Sequence, residues 1–136
     1  MIKLVSANPC SFTEDQIHEI NRMILERSPD TTERHLGNVV RDAGMIGFLL
    51  DEMDTINNPF EKAAVALRKI ALRHPFVQGN KRTAVVVANI ILYTAGYELV
   101  LSGEKLNCDV RKMIYEEWDE HRVLYWIMEN SAKIGE

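Results

Sequence analysis

Apolar residues recur every three or four positions along most of the chain, a spacing that predicts amphipathic helices. The first helix begins at Ser11 or Thr13, because both fit a capping box, the former with Glu14 and the latter with Gln16. Residues 31–40 are polar and irregular, so they predict a loop or a short extended piece. Five further helices are predicted after the first, over residues 42–53, 59–73, 80–94, 104–117 and 119–133.

The third helix begins and ends at clear signals, whereas the fourth is defined mainly by its apolar character. Asn58 can cap the third, Pro59 suits its first position, and Pro75 requires the helix to end before it. The fourth is apolar on almost every side over residues 84–92, a pattern that predicts burial all round. Such a run also suits a strand, but a length of about 15 residues favours a helix. Residues 97–101 fit a short strand.

Composition indicates one soluble domain spanning residues 1–136. We expect an all-α fold, a bundle of about six helices around a buried central helix with room for a short β-flap. Its apolar runs are far below the ~20 residues that span a bilayer, so we expect no membrane segment and a cytoplasmic location. Cys10 and Cys108 form no CxxC pair and are expected to be reduced. Four aromatic residues recur near helical spacing, which favours the core over a partner surface: Tyr115, Trp118, Tyr125 and Trp126.

Charge is unevenly distributed along the chain. The net charge is −4, which argues against a general nucleic-acid or membrane-surface binder. Residues 62–97 contain no Asp or Glu but six Lys and Arg, so this segment is +6 and the other 100 residues carry −10. A cationic island in an acidic protein indicates an anionic ligand at one place. The alternative is a basic helix face solvated in the ordinary way.

The segment from His74 to Arg82, HPFVQGNKR, joins the third helix to the fourth. Gly79 lets the backbone turn tightly, and the first N–H groups of the next helix lack internal partners and attract anions. Lys81 and Arg82 lie in that first turn, where positive charge opposes the helix dipole and a bound phosphate would reverse the cost. His74 beside this turn is the natural general base, because an imidazole can take a proton near neutral pH.

These residues resemble the motif of the Fic/Doc family. His74-Pro75-Phe76 is typical of Fic proteins, and residues 80–84 resemble the Doc, or death-on-curing, branch. The resemblance implies a helical fold with the loop between two central helices. It also implies ATP as donor and transfer of part of it to a Ser, Thr or Tyr hydroxyl of a target protein. Fic proteins transfer AMP, whereas the Doc branch transfers the γ-phosphate to elongation factor Tu.

The resemblance implies a role for each motif position. His74 is the catalytic base, and Phe76 anchors the loop in the core. Lys81 stands where Fic proteins have Gly, and Val85 replaces a second Fic arginine; both departures favour Doc-like phosphate transfer. Residues 37–44 resemble the segment whose flap positions the target. The nucleotide phosphates would be bound by Gly79, Asn80, Lys81 and Arg82.

Gln78 departs from the family at the position that holds Mg²⁺. Family members have Asp or Glu there, whereas the Gln amide oxygen is neutral and a weaker magnesium ligand. A carboxylate from elsewhere, Asp42 or Glu61, is left open by the sequence. Mg²⁺ is therefore an uncertain cofactor, and no residue is assigned to a metal.

Two functions follow from the motif and its departures. One is an active Doc-like toxin, and the other is an impaired relative that binds nucleotide or a partner without turnover. A third class, an unrelated basic module that binds nucleic acid, is disfavoured by the acidic remainder of the chain. The family's self-inhibitory motif, Ser/Thr-x-x-x-Glu-Gly/Asn, has no match, so we expect restraint from a separate antitoxin chain.

Overall fold

The computed structural model describes residues 11–135. Among them it contains six α-helices, a 3₁₀ helix and a two-stranded sheet, so the predicted helical fold is confirmed. The elements in chain order are α1 (Glu14–Glu26), the 3₁₀ helix (Thr31–Leu36), α2 (Ala43–Asp54), α3 (Pro59–Arg73), α4 (Asn80–Thr94), β1 (Tyr97–Leu99), α5 (Gly103–Tyr115), α6 (Glu120–Glu129) and β2 (Ser131–Lys133).

Capping residues fix where the helices begin. Thr13 rather than Ser11 caps α1: its hydroxyl accepts from the Gln16 N–H at 3.2 Å, and the Gln16 side chain accepts from the Thr13 N–H at 2.9 Å. At the start of α3, the Asn58 side chain accepts from two main-chain N–H groups, at 2.9 and 3.1 Å. These bonds satisfy donors that the helices leave free, as the sequence pattern predicts.

The core is built around α3. Residues 62–67 of this helix are all buried, and α3 packs mainly against α4 and α6. Helix α4 also contacts α1. The start of α4 therefore lies against α1, and this contact positions the loop that leads into α4.

Helix α4 is buried along one stripe and not on every side, so the prediction of all-round burial is wrong. The buried residues lie between Thr83 and Leu92 on a single face. Ile90 and Tyr93 on the remaining surface are 37% and 66% exposed. An apolar pattern shows which faces tolerate burial, but the neighbouring helices decide which faces are covered.

The last helix ends at Glu129, not at the predicted residue 133. Residues 131–133 form β2, which pairs antiparallel with β1 and places Lys133 opposite Tyr97. Main-chain pairing between distant segments overrides the local helical pattern here, and hydrophobic periodicity carries no information about such a partner.

Two smaller predictions also change. Residues 31–36 form a 3₁₀ helix, and in the following segment Val40 forms an isolated bridge to Phe76. Both tryptophans are buried, as predicted. Tyr115 and Tyr125 are 84% and 66% exposed, because they lie on the outward faces of α5 and α6.

Within the described part of the chain, none of the helices has the length and apolar character needed to cross a membrane. Cys108 is exposed and forms no disulfide with any described residue. Cys10 lies outside the described residues.

Candidate functional site

His74 ends α3 in a left-handed backbone conformation, with φ 51° and ψ 62°. A residue with a side chain adopts this conformation only when its surroundings hold it there. Here the Pro75 carbonyl accepts from the N–H groups of Arg41 and Asp42 at 2.7 and 3.0 Å, and the Val77 N–H donates to the Val39 carbonyl at 3.0 Å. The segment before α2 thus fixes the loop immediately after His74.

Asn80 closes the loop by bonding across it to Phe76. The Asn80 side chain accepts from the Phe76 N–H at 2.9 Å and donates to the Phe76 carbonyl at 2.8 Å. The Phe76 ring is fully buried and meets the His18 ring edge-on, with centroids 5.6 Å apart. Because the Asn80 side chain is used by the loop, its predicted phosphate contact rests on its main-chain N–H.

The side chain of Asn21 in α1 forms hydrogen bonds both to the loop and to α4. Its side chain is fully buried, and its Nδ2 donates to the Gln78 carbonyl at 2.9 Å and to the Thr83 hydroxyl at 3.1 Å. Its Oδ1 accepts from the Asn38 N–H at 2.8 Å. Gly79, which lies between Gln78 and Thr83 in the chain, has φ +80°. A Cβ at this position would lie 3.1 Å from the Asn21 Nδ2. Glycine is therefore required both by conformation and by close approach.

A polar cavity of about 590 Å³ lies over this loop. Among residues 11–135, no side chain or main-chain group forms a hydrogen bond with the His74 imidazole, so it can exchange a proton with a ligand. The start of α4 has no side-chain cap, which leaves its first N–H groups for an anion. The predicted site residues share this cavity, except Phe76, which is buried. The lining residues are Arg41, His74, Val77, Gln78, Gly79, Asn80, Lys81, Arg82, Asn107 and Ile114.

Glu33 of the 3₁₀ helix is an acid that the sequence did not indicate. It is 7% exposed, and its Oε1 accepts from the Arg82 guanidinium at 2.8 Å and from the Ser28 hydroxyl at 2.6 Å. Its Oε2 accepts from the Gln78 amide nitrogen at 3.0 Å. These donors, with Arg82 the strongest, lower the Glu33 pKa to about 2. The carboxylate is therefore negatively charged at neutral pH.

Two residues that shape the site, Asn21 and Glu33, were missed from the sequence. Asn21 lies inside an amphipathic helix, and Glu33 lies in a polar segment that gave no periodic signal. Both act across more than forty positions of sequence, from residue 21 or 33 to residues 78–83. The only local hint was the polarity of residues 31–40, which is also typical of an ordinary loop.

The side chains around Gln78 do not fit a divalent cation. Asp42 and Glu61, the acids left open by the sequence, line other cavities. Glu33 beside Gln78 already has both oxygens bound to hydrogen-bond donors. Within the described ranges, no three His, Cys, Asp or Glu side chains are grouped closely enough to hold a metal ion.

A second, largely apolar cavity of about 480 Å³ adjoins the polar one. The two share Lys81, Arg82 and Asn107, so they are continuous across the first turn of α4. Its apolar wall comes from the end of α1, from α4 and from α5, with Ile24, Val85, Val86, Leu106 and Val110. The combined site therefore offers charged and apolar surface side by side.

Residues 11–92 match the family described as Fic/DOC family, which is more than half of the chain. The chain belongs to the Fic/DOC family. The matched range includes α1, α3, the loop and most of α4, so the family assignment covers the whole polar network of Asn21 and Glu33 as well as the motif.

Two relatives are similar to part of this chain. Protein adenylyltransferase fic-1 of Caenorhabditis briggsae is 41% identical over 59 residues, which are 43% of this chain and 12% of that protein. The protein of the same name from Caenorhabditis elegans is 39% identical over 57 residues, 42% of this chain and 11% of that protein. The matched segments thus span roughly a tenth of the length of these curated relatives.

A solved structure of Fic-1 from C. elegans is similar over nearly the whole chain. The TM-score is 0.69 at 22% sequence identity, covering 93% of this chain and 42% of that one. At this identity the likeness establishes the fold. The protein is a Fic-fold domain with the motif loop between α3 and α4.

Proposed function

We propose that this protein transfers part of ATP to a hydroxyl group of a target protein. The observation that carries the proposal is the shared polar cavity of His74 and the first turn of α4. A proton acceptor and a set of anion-binding groups at one place are what hydroxyl attack on a phosphate requires. The names of the two relatives, both protein adenylyltransferases, support AMP as the transferred group.

The adjoining cavities support a nucleotide rather than a simple phosphate as ligand. The polar cavity contains the α4 start, Lys81 and Arg82, which suit the phosphates. The apolar cavity begins at the same two side chains and suits a planar base, because ligand sites combine apolar walls with a few placed polar groups. Both volumes, about 590 and 480 Å³, are of the size that small-molecule ligands occupy.

In the proposed reaction, the His74 imidazole accepts the proton of a Ser, Thr or Tyr hydroxyl on the target. The hydroxyl oxygen bonds to the α-phosphorus, the bond from that phosphorus to the bridging oxygen breaks, and pyrophosphate leaves. The main-chain N–H groups of Asn80 and Lys81 and the Arg82 guanidinium stabilise the negative charge on the phosphate. No step uses a divalent cation, since the side chains around Gln78 do not fit one.

A second candidate is Doc-like transfer of the γ-phosphate, with elongation factor Tu as the target and a separate antitoxin as inhibitor. Lys81 favours it, because a bulky cation takes the place of the Fic glycine and restricts how the α-phosphate can approach. A third is nucleotide binding without turnover, which Gln78 favours. All three place the nucleotide in the same two cavities and differ in which phosphorus, if any, is attacked.

The experiment that separates them uses ATP labelled at either the α- or the γ-phosphate. The protein is incubated with each label, a bacterial lysate and, in parallel, purified elongation factor Tu. We expect α-label on a protein band, with loss of roughly 10²–10⁴-fold for His74→Ala, the usual contribution of a general base. γ-Label alone would establish the Doc-like candidate instead. Absence of both labels, with ATP binding intact, would leave binding without turnover.

His121→Ala is the matched control for His74→Ala. His121 is exposed on α6 and lines a different cavity, with Glu61 and Asp119. Its loss should leave labelling unchanged. If both histidine variants lose activity equally, the effect is not specific to the loop and the assignment of His74 as base is wrong.

A further inference from the structure

Glu33 and Gln78 form a matched pair of one carboxylate and one neutral amide. The Gln78 Nε2 donates to the Glu33 Oε2 at 3.0 Å. An acidic side chain at position 78 would bring a second carboxylate to this distance, and two like charges so close cannot both stay ionised. The neutral residue at position 78 is therefore explained by the acid at position 33.

The partner of that acid is a fixed positive charge. Arg82 donates to the Glu33 Oε1 at 2.8 Å, and the Arg82 side chain is 46% exposed along the polar cavity. A guanidinium stays protonated at all ordinary pH values and offers donors beyond those used by one carboxylate oxygen. The cavity thus holds a permanent cation beside the α4 start, with its position set by a nearly buried carboxylate.

A divalent cation would have to compete for groups that are already bound. Magnesium is usually held by one or two carboxylates together with substrate phosphates. Glu33 is the carboxylate next to the loop, and Ser28, Gln78 and Arg82 already occupy its oxygens. Replacing these donors with a metal ion would release the Arg82 guanidinium and leave the Ser28 hydroxyl without its acceptor inside the protein.

We propose that this loop does not require a divalent cation to bind the phosphates of its ligand, because a fixed ion pair between Glu33 and Arg82 takes the place of the metal-binding acid. The inference rests on the proposed nucleotide binding and deepens it. It assigns Glu33 as a positioning residue that acts through Arg82 and Gln78. The phosphate charge is balanced by Arg82, Lys81 and the start of α4.

The direct test measures ATP binding to the unmodified protein by calorimetry, once in excess Mg²⁺ and once in EDTA. We expect dissociation constants that agree within about threefold, a difference under about 0.7 kcal/mol. Binding that is more than about tenfold tighter in Mg²⁺ than in EDTA overturns the proposal.

A charge-swap variant, Glu33→Gln with Gln78→Glu, tests the role of Glu33. It keeps one carboxylate in the pair but moves it from position 33 to position 78. We expect this variant to bind Mn²⁺ with ATP and to prefer Mg²⁺ over EDTA by about tenfold or more. If the swap variant folds, as judged by its far-UV circular dichroism, but binds ATP equally well in Mg²⁺ and in EDTA, the explanation through Glu33 is wrong.

The controls distinguish failure of the proposed nucleotide binding from failure of the proposed independence from a divalent cation. Glu52→Gln removes one negative charge from the Lys69 pair, which lies outside the loop, and should change nothing in either buffer. If the swap variant does not fold, the comparison of Mg²⁺ with EDTA on the unmodified protein still decides. Absence of ATP binding in both buffers overturns nucleotide binding itself and this inference with it. Binding that requires Mg²⁺ overturns only the inference.

Discussion

Helix α4 is held in two different ways along its length. Its first turn, with residues 74–83, Asn21 and Glu33, forms what we term the loop end, where specific hydrogen bonds and one ion pair fix each group. Its remainder, residues 84–92 packed on α3, forms the core half, where fully buried apolar side chains dominate. Under the proposed function, substitutions in the loop end should change ATP binding, whereas substitutions of fully buried side chains in the core half should change only folding.

The largest expected effect on stability comes from the core half. Ile91 is 1% exposed, and Ile91→Ala should lower the free energy of unfolding by about 2–5 kcal/mol, because it leaves a cavity in a packed core. Tyr93→Ala, two positions on and 66% exposed, should stay within about 0.5 kcal/mol. Urea unfolding measures both. If folded Ile91→Ala protein binds ATP more weakly than the unmodified protein, the proposed separation of binding from folding is wrong.

Asn21→Ala should lower the free energy of unfolding by about 1–3 kcal/mol, since it leaves buried polar groups of the loop and of Thr83 without partners. It should also weaken ATP binding, unlike a change to a fully buried side chain of the core half. Asn89→Ala on the half-buried side of α4 is the control and should do neither. Calorimetry and urea unfolding are both required, and unchanged ATP affinity in a folded Asn21→Ala protein would show that Asn21 does not position the loop.

Two glycine substitutions should have opposite signs. Gly79→Ala places a Cβ at φ +80° and 3.1 Å from Asn21, so it should destabilise the protein by about 1 kcal/mol or more. Gly47→Ala lies inside α2, where the nearest atom would be 3.7 Å away, and should stabilise by about 0.5–1 kcal/mol. Thermal unfolding measures the pair. Equal effects would mean that the loop conformation tolerates a side chain.

The smallest expected effect is a pH dependence from Glu33. Its pKa is lowered from 4.5 to about 2 in the folded protein, so its contribution to stability is present above pH 4.5 and is lost as pH falls toward 2. Glu33→Gln lacks this contribution at every pH. The stability difference between the two proteins should therefore shrink as pH is lowered through this window, in urea unfolding at several pH values. A constant difference would contradict the ionised Glu33–Arg82 pair.

The two regions also differ in how well the sequence predicted them. The limits of α3 followed from Asn58 and Pro75, since caps and breakers act through neighbouring residues. The motif is also a local signal, and it identified His74 and Arg82, whose side chains line the cavity. Such signals are present in any single sequence.

The rest depended on contacts between distant segments. Asn21, Glu33 and the β1–β2 pairing join positions that are more than thirty residues apart, and no periodicity encodes them. The covered stripe of α4 likewise depends on where α3 and α1 pack. In the folded structure Gln78 is interpreted as one member of a pair with Glu33 rather than as a missing metal ligand. This change of interpretation depended on knowing the folded arrangement.

The proposed function requires the loop end to bind a nucleotide, and one measurement tests this directly. ATP is titrated into uniformly ¹⁵N-labelled protein, and the amide signals are followed by NMR. We expect saturable shifts at Gly79 to Arg82 and at residues lining the adjoining apolar cavity, such as Val86 and Leu106, with Arg82→Ala abolishing them. Shifts confined to other surfaces, or none at millimolar ATP, would contradict the account.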